Sequence, residues 1–168
     1  MNFGVAEHAL TRPTANIAST AFLLLLCSLL VPVAIIDARH GIIPDWLNGA
    51  LGGIGLIRAA AGDGPPLGLS VAVAVGVFFF MVLLCRGFAR WRGSAGMGMG
   101  DVKFLAAAAT WTGLSGLPTL MVVSSISGLL FVVWRAVFGT PVTSTTRLAF
   151  GPHLAIGLGF AELFGSIF

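Results

Sequence analysis

Six apolar runs divide the chain, separated by polar or glycine-rich breaks. The first covers residues 17–36, close to the roughly 20 apolar residues a helix needs to cross the hydrocarbon core of a bilayer. The head before it holds Glu7, His8 and Arg12. That head is poor in positive charge and no small-residue cleavage site follows closely, so a retained span is expected in place of a removed signal peptide. The second run, 42–61, is weaker, because it carries Asp45, Asn48 and Arg58 before Gly-Asp-Gly-Pro-Pro at 62–66 stops it. Gly49 and Gly53 form a small-xxx-small pair that lets helix backbones approach closely in lipid. Arg58, near the far end, is placed to snorkel. The third run is 67–85. A polar stretch with Arg86, Arg90, Arg92 and alternating glycines then reaches residue 100. Asp101 opens a short apolar helix over 102–112, a glycine-rich break follows at 113–116, and a longer run covers 117–138. After a 139–147 loop with Pro141 and Arg147, the last run is 149–168. The pattern predicts an all-α polytopic membrane protein of about six transmembrane helices, with residues 1–168 as one membrane-embedded domain and no separate soluble domain.

Composition narrows the classes further. Hydrophobic residues make up 57% and charged residues 9%, against about 25% charged in an ordinary soluble domain. The mean hydropathy is +1.01. A soluble domain or a disordered chain is excluded. The net charge of +3 rests on so few cations that it reports membrane orientation and not a nucleic-acid partner. With the N-terminus outside, Arg39, Arg86, Arg90, Arg92, Lys103, Arg135 and Arg147 fall at one face, and Arg12 and Arg58 at the other. The positive-inside bias makes the first face cytoplasmic and places both termini away from the cytoplasm. Cys27 and Cys85 lie in apolar runs without any CxxC and read as small buried hydrophobes. No metal or cofactor is expected.

Charges at membrane depth are costly and need a reason. Asp37 directly follows the first run and Asp101 opens the fourth. Two crossings separate them, so both carboxylates belong at one membrane face, near water. Asp101 also fits an N-cap of helix 102–112, and Asp45 after Pro44 fits a cap as well. Asp37 is harder to explain structurally, because a helix C-terminus disfavours an anion; Arg39 is a candidate partner. Two carboxylates converging on one water can hydrolyse a peptide bond, one taking a proton from the water and the other giving one to the scissile carbonyl. Gly96, Gly98 and Gly100 suggest a pliable segment that accepts an extended peptide beside Asp101; a loose loop is the alternative, and no phosphate-loop pattern is met. No HExxH or Ser-His-Asp arrangement competes. His8, His40 and His153 are scattered, and His153 reads as structural at the start of the last helix.

The segments D37-A-R-H-G-I-I-P44-D45-W-L-N48, G98-M-G100-D101-V-K103 and F150-G-P-H-L-A-I-G157 together resemble the type IV prepilin peptidases, membrane aspartic proteases with a GxGD signature. The resemblance covers roughly residues 20–165. It implies cleavage of the basic leader of prepilins or pseudopilins at the cytoplasmic side of the bacterial inner membrane, with Asp37 and Asp101 as the catalytic pair. Lys103 matches a family lysine of unassigned role. Larger members carry an N-terminal cytoplasmic region with paired CxxC motifs and also N-methylate the new pilin terminus. This sequence resembles the short, peptidase-only group associated with Flp-type (tight-adherence) pili, so methyl transfer is not expected. Two rival readings are a transporter or proton pathway, which places carboxylates nearer mid-span, and a structural subunit of a pilus assembly platform.

Overall fold

The computed structural model describes residues 12–93, 96–139 and 149–164. These residues form five helices and no strand. They are α1 (Arg12–His40), α2 (Asp45–Ala60), α3 (Leu67–Arg92), α4 (Met99–Phe138) and α5 (Gly151–Phe164). Gly113, with φ 62° and ψ −165°, breaks α4 into two helical stretches. A positive φ with that ψ is open to glycine and to little else, so the break falls where the glycine-rich 113–116 segment predicts it. Each of the six apolar runs is thus helical over most of its described residues. The placement expected for both termini, and for Glu7, His8 and Arg147, lies outside the described residues.

Three helices are long and apolar enough to cross a membrane by length and composition: Ile17–His40, Leu67–Arg92 and Met99–Phe138. Their outward faces carry Leu24, Val31, Phe79, Phe80, Leu83, Leu129, Leu130 and Val133, all exposed. Such faces suit lipid and would be untenable in water. Two expectations change here. α3 does not end at residue 85 but runs to Arg92, carrying Arg86, Arg90 and Arg92 on its last turns. Cys27 is exposed on α1 and Cys85 is only half-buried, so Cys27 faces outward instead of into the core.

The first stretch of α4 is the centre of the bundle. α4 packs on α2, α3 and α5, and α1 packs on α5. Val102, Phe104, Leu105, Ala108 and Trp111 are all but fully buried. Close packing on α2 comes from Gly52 and Gly55, not from Gly49 and Gly53. A Cβ at Gly52 would meet Ala107 at 3.5 Å and one at Gly55 would collide with Thr110 and Trp111, while Gly49 and Gly53 face open space. The small-residue face lies one register away because Trp111 needs that side: its indole N–H donates to the Leu51 carbonyl at 2.8 Å.

Arg58 does not snorkel. Its guanidinium donates to Glu162 at 2.5 Å, lies over the Trp111 ring at 5.4 Å and approaches Asp63 at 4.0 Å. The Arg58 and Glu162 side chains are 17% and 6% exposed, so this ion pair is largely out of water. Removing one partner of such a pair strands the other. Arg58→Ala is expected to cost about 3 kcal/mol, read as a lower thermal midpoint in detergent. A double Arg58→Leu/Glu162→Leu variant should recover most of it. An unchanged midpoint in the single variant would show that the pair contributes nothing.

Candidate active site

Asp37 sits in the last turn of α1, and its carbonyl accepts the Gly41 N–H at 2.8 Å where the helix stops. The residue is 4% exposed. No ion pair joins it to Arg39, which is exposed. Instead its Oδ2 accepts the backbone N–H of Gly151 at 2.6 Å. Gly151 is the first residue of α5, so the carboxylate meets the positive end of a second helix dipole. That offsets the unfavourable end of its own helix and accounts for an acid at this position. The approach is close enough to require glycine: a Cβ at Gly151 would lie 2.7 Å from both Cβ and Oδ2 of Asp37.

Asp101 is not an N-cap. α4 begins three residues earlier than expected, at Met99, with Gly98 as its cap residue. Asp101 is therefore the third helical residue, and its carboxylate turns back toward the Gly98 backbone amide, the side-chain half of a capping box. It is half-buried. Asp37 lies within Coulombic reach of it. The two acids thus come together from the end of α1 and the start of α4.

The link between α1 and α2 holds this junction. A Cβ at Gly100 would meet Ile43 at 3.4 Å, and the Gly100 carbonyl accepts Nδ2 of Asn48 at 3.3 Å. Gly100 is helical and packed against its own chain, not extended. Gly96 is exposed beside the Phe88 ring, and Gly98 is exposed beside the Asp101 carboxylate.

Asp45 is also not a side-chain cap. It starts α2 after Pro44, with no side-chain cap bond, and both of its oxygens accept Lys103 Nζ at 2.7 Å. Lys103 is thereby turned to α2 and not to the two acids. His153 lies in the first turn of α5, with Nδ1 2.8 Å from the Ser127 hydroxyl and its ring among Phe131 and Phe150. It braces the helix end that offers Gly151. Among the described residues no three His, Cys, Asp or Glu gather as a metal would require.

Sequence reasoning missed Gly151 and the contact from Asn48. The Gly-Pro at 151–152 is a helix-start signal, with proline in the first turn, and so announces free amides. It does not say which acid they face.

Residues 24–133 match the type IV leader peptidase family. The chain is 36% identical over 136 residues to a prepilin leader peptidase/N-methyltransferase of Pectobacterium carotovorum subsp. carotovorum, covering 80% of this chain and 48% of that protein. It is 37% identical over 134 residues to one of Neisseria gonorrhoeae, covering 79% and 45%. A Burkholderia pseudomallei relative of the same name is 32% identical over 146 residues, covering 85% and 46%. The chain spans about half the length of the curated relatives it matches. No solved structure matches. The matched segment contains Asp37 and Asp101 and all of the α1–α2 junction that holds them together, and the chain belongs to the type IV leader peptidase family.

Proposed function

We propose that the chain is a membrane aspartic endopeptidase that removes the leader of type IV prepilins or pseudopilins, with Asp37 and Asp101 as its catalytic pair. The observation that carries this reading is that two acids from different helices lie within Coulombic reach of each other, with Lys103 turned to Asp45. A water held by both carboxylates loses a proton to the ionised one as its oxygen attacks the scissile carbonyl. The protonated one gives its proton to the carbonyl oxygen. Collapse of the resulting diol passes a proton to the departing amine and restores the pair. Gly98, exposed beside Asp101, leaves room for the substrate backbone, with Gly96 on the same approach.

A proton pathway would favour acids at mid-span. Asp37 is three residues from the end of α1 and Asp101 third in α4, which favours chemistry at a membrane face. The cations Arg39, Arg86, Arg90, Arg92 and Lys103 cluster at these same helix ends in the sequence, and the positive-inside bias makes that face cytoplasmic. We place six spans in the inner membrane of a bacterium, α2, the first stretch of α4 and α5 being the short ones. Methyl transfer is not part of the proposal.

The test is incubation with a prepilin in detergent or liposomes and a mass measurement of the product. Release of an intact leader supports the reading, and an unaltered prepilin rejects it. Activity is expected to be unchanged by EDTA, because the described acids do not form a ligand cluster of the kind a bound metal uses. Loss with EDTA and restoration by zinc would replace this mechanism with a metal-dependent one.

A further inference from the structure

α3 is longer than the apolar run inside it. Residues 67–85 rise about 29 Å at 1.5 Å per residue, close to the roughly 30 Å of a hydrocarbon core. The helix then continues to Arg92, about 10 Å further. That is enough to carry it through one headgroup layer, since the bilayer with its headgroups is about 40–45 Å thick.

The extension holds Arg86, Arg90 and Arg92, and α3 contains no acid along its length. Arg92 lies over the rings of Phe88 and Trp91, at 6.0 and 5.6 Å. Arg86 and Arg90 are exposed, and among the described residues no acid pairs with either. The negative end of a helix dipole favours cations within the last turn, which accounts for Arg90 and Arg92. It does not account for Arg86, a turn deeper. Arg86 and Arg90 stand one turn apart, where like charges repel, with about 5–6 Å between their Cβ atoms. Both guanidinium groups can reach one phosphate from there, and their planar donors match its oxygens.

The surface leading to these arginines is apolar and uncovered. Gly76, Phe80, Leu83, Gly87 and Arg90 recur at steps of four and three and so share a face, with Arg86 between Leu83 and Arg90. Phe80 and Leu83 are 60% and 67% exposed. A Cβ at Gly76 or Gly87 would meet nothing within 4 Å, so no other described segment closes over these positions.

We propose that this face of α3 binds an anionic phospholipid, with Arg86 and Arg90 on its phosphate and its acyl chains along Leu83 and Phe80. The inference rests on α3 as a span and not on the peptidase reading. Three arginines on a helix without an acid match a headgroup of net negative charge, whereas the ammonium of a zwitterionic headgroup finds no partner on it. Gly87 leaves the headgroup room beside the two arginines. Cations near a membrane attract anionic lipid in general; a site differs in depending on which cations are removed.

The full chain in detergent is titrated with phosphatidylglycerol or with phosphatidylcholine of the same acyl chains, and bound lipid is counted by native mass spectrometry. Phosphatidylglycerol should bind at least tenfold more tightly. Arg86→Gln/Arg90→Gln should weaken it at least fivefold and leave phosphatidylcholine within twofold. Arg39→Gln is the control. Arg39 is likewise an exposed cation at a helix end, but it lies on α1, which does not pack on α3 among the described residues. Its loss should change phosphatidylglycerol binding less than twofold. Glycerol 3-phosphate in tenfold excess should not displace the lipid. Equal binding of the two lipids, or equal losses in Arg39→Gln and the double variant, would reduce the arginines to a general positive face and overturn the site. Weakening of both lipids alike in the double variant would overturn it too, because the arginines would not be reading charge. Displacement by glycerol 3-phosphate would leave no part for Leu83 and Phe80 and overturn the lipid assignment.

Discussion

Asp37→Asn and Asp101→Asn are each expected to lower the cleavage rate at least a thousandfold, while the protein inserts and accumulates normally. Loss of one acid–base partner alone typically removes about 10²–10⁴-fold. Here each acid depends on the other, so no single step survives the loss of either. Asparagine preserves shape at both positions. At Asp37 its oxygen can still accept the Gly151 N–H that the carboxylate now accepts at 2.6 Å, so the junction of α1 and α5 should hold. At Asp101 the same applies to the Gly98 amide. The measurement is initial leader release from a prepilin in liposomes, normalised to protein recovered from the membrane. Either variant retaining more than a tenth of the wild-type rate would reject the pair. Asp45→Asn serves as the comparison. Its carboxylate is exposed and paired with Lys103 at the surface, where such pairs contribute about 0–1 kcal/mol, and its activity should stay within a factor of a few.

The helices were legible in the sequence because their cause is local. Runs of apolar residues, interrupted at 62–66 and 113–116, set where helices form and where α4 breaks. The candidate acids were legible for a related reason: a charge at the end of an apolar run has few explanations. What surrounds each acid was not. Asp101 and Asp45 both satisfy the local rules for a cap, and neither is one. α4 starts at Met99, where Gly100 packs on Ile43 from the α1–α2 link, and Asp45 is drawn to a lysine 58 residues away. Arg58 shows the same limit. Its position near a helix end suggests snorkelling, but Glu162 and Trp111 arrive from distant segments and hold it inside. Helix faces were also misassigned on α2. Gly49 and Gly53 have the spacing for close packing, as do many glycine pairs. The indole of Trp111, whose position depends on α4, selects the face of Gly52 and Gly55.

Gly151→Ala is the second large effect expected, and it separates the placing of Asp37 from its chemistry. Glycine-to-alanine inside a helix ordinarily favours the helix, so α5 itself should form at least as well. The added Cβ, however, would sit 2.7 Å from Asp37 Oδ2 and 2.8 Å from its Cγ. Something must give, and the atoms in the way are a short side chain next to a helix backbone. Either α5 withdraws or the carboxylate rotates. Both break the Gly151 hydrogen bond and leave a buried acid without its donor, at a cost of about 1–3 kcal/mol. Turnover should fall at least a hundredfold, mostly in kcat, because the atom displaced belongs to the carboxylate proposed to react. Gly159→Ala is the control on the same helix. Its Cβ would meet only Leu30 Cδ1, at 3.9 Å, an ordinary contact, and its activity should be near normal. The comparison needs kcat and KM for both variants on one prepilin, together with their thermal midpoints in detergent. Equal activity in the two variants would mean that the Gly151 amide does not set the position of Asp37. A fall confined to KM would move the role of Gly151 from the reacting carboxylate to substrate binding.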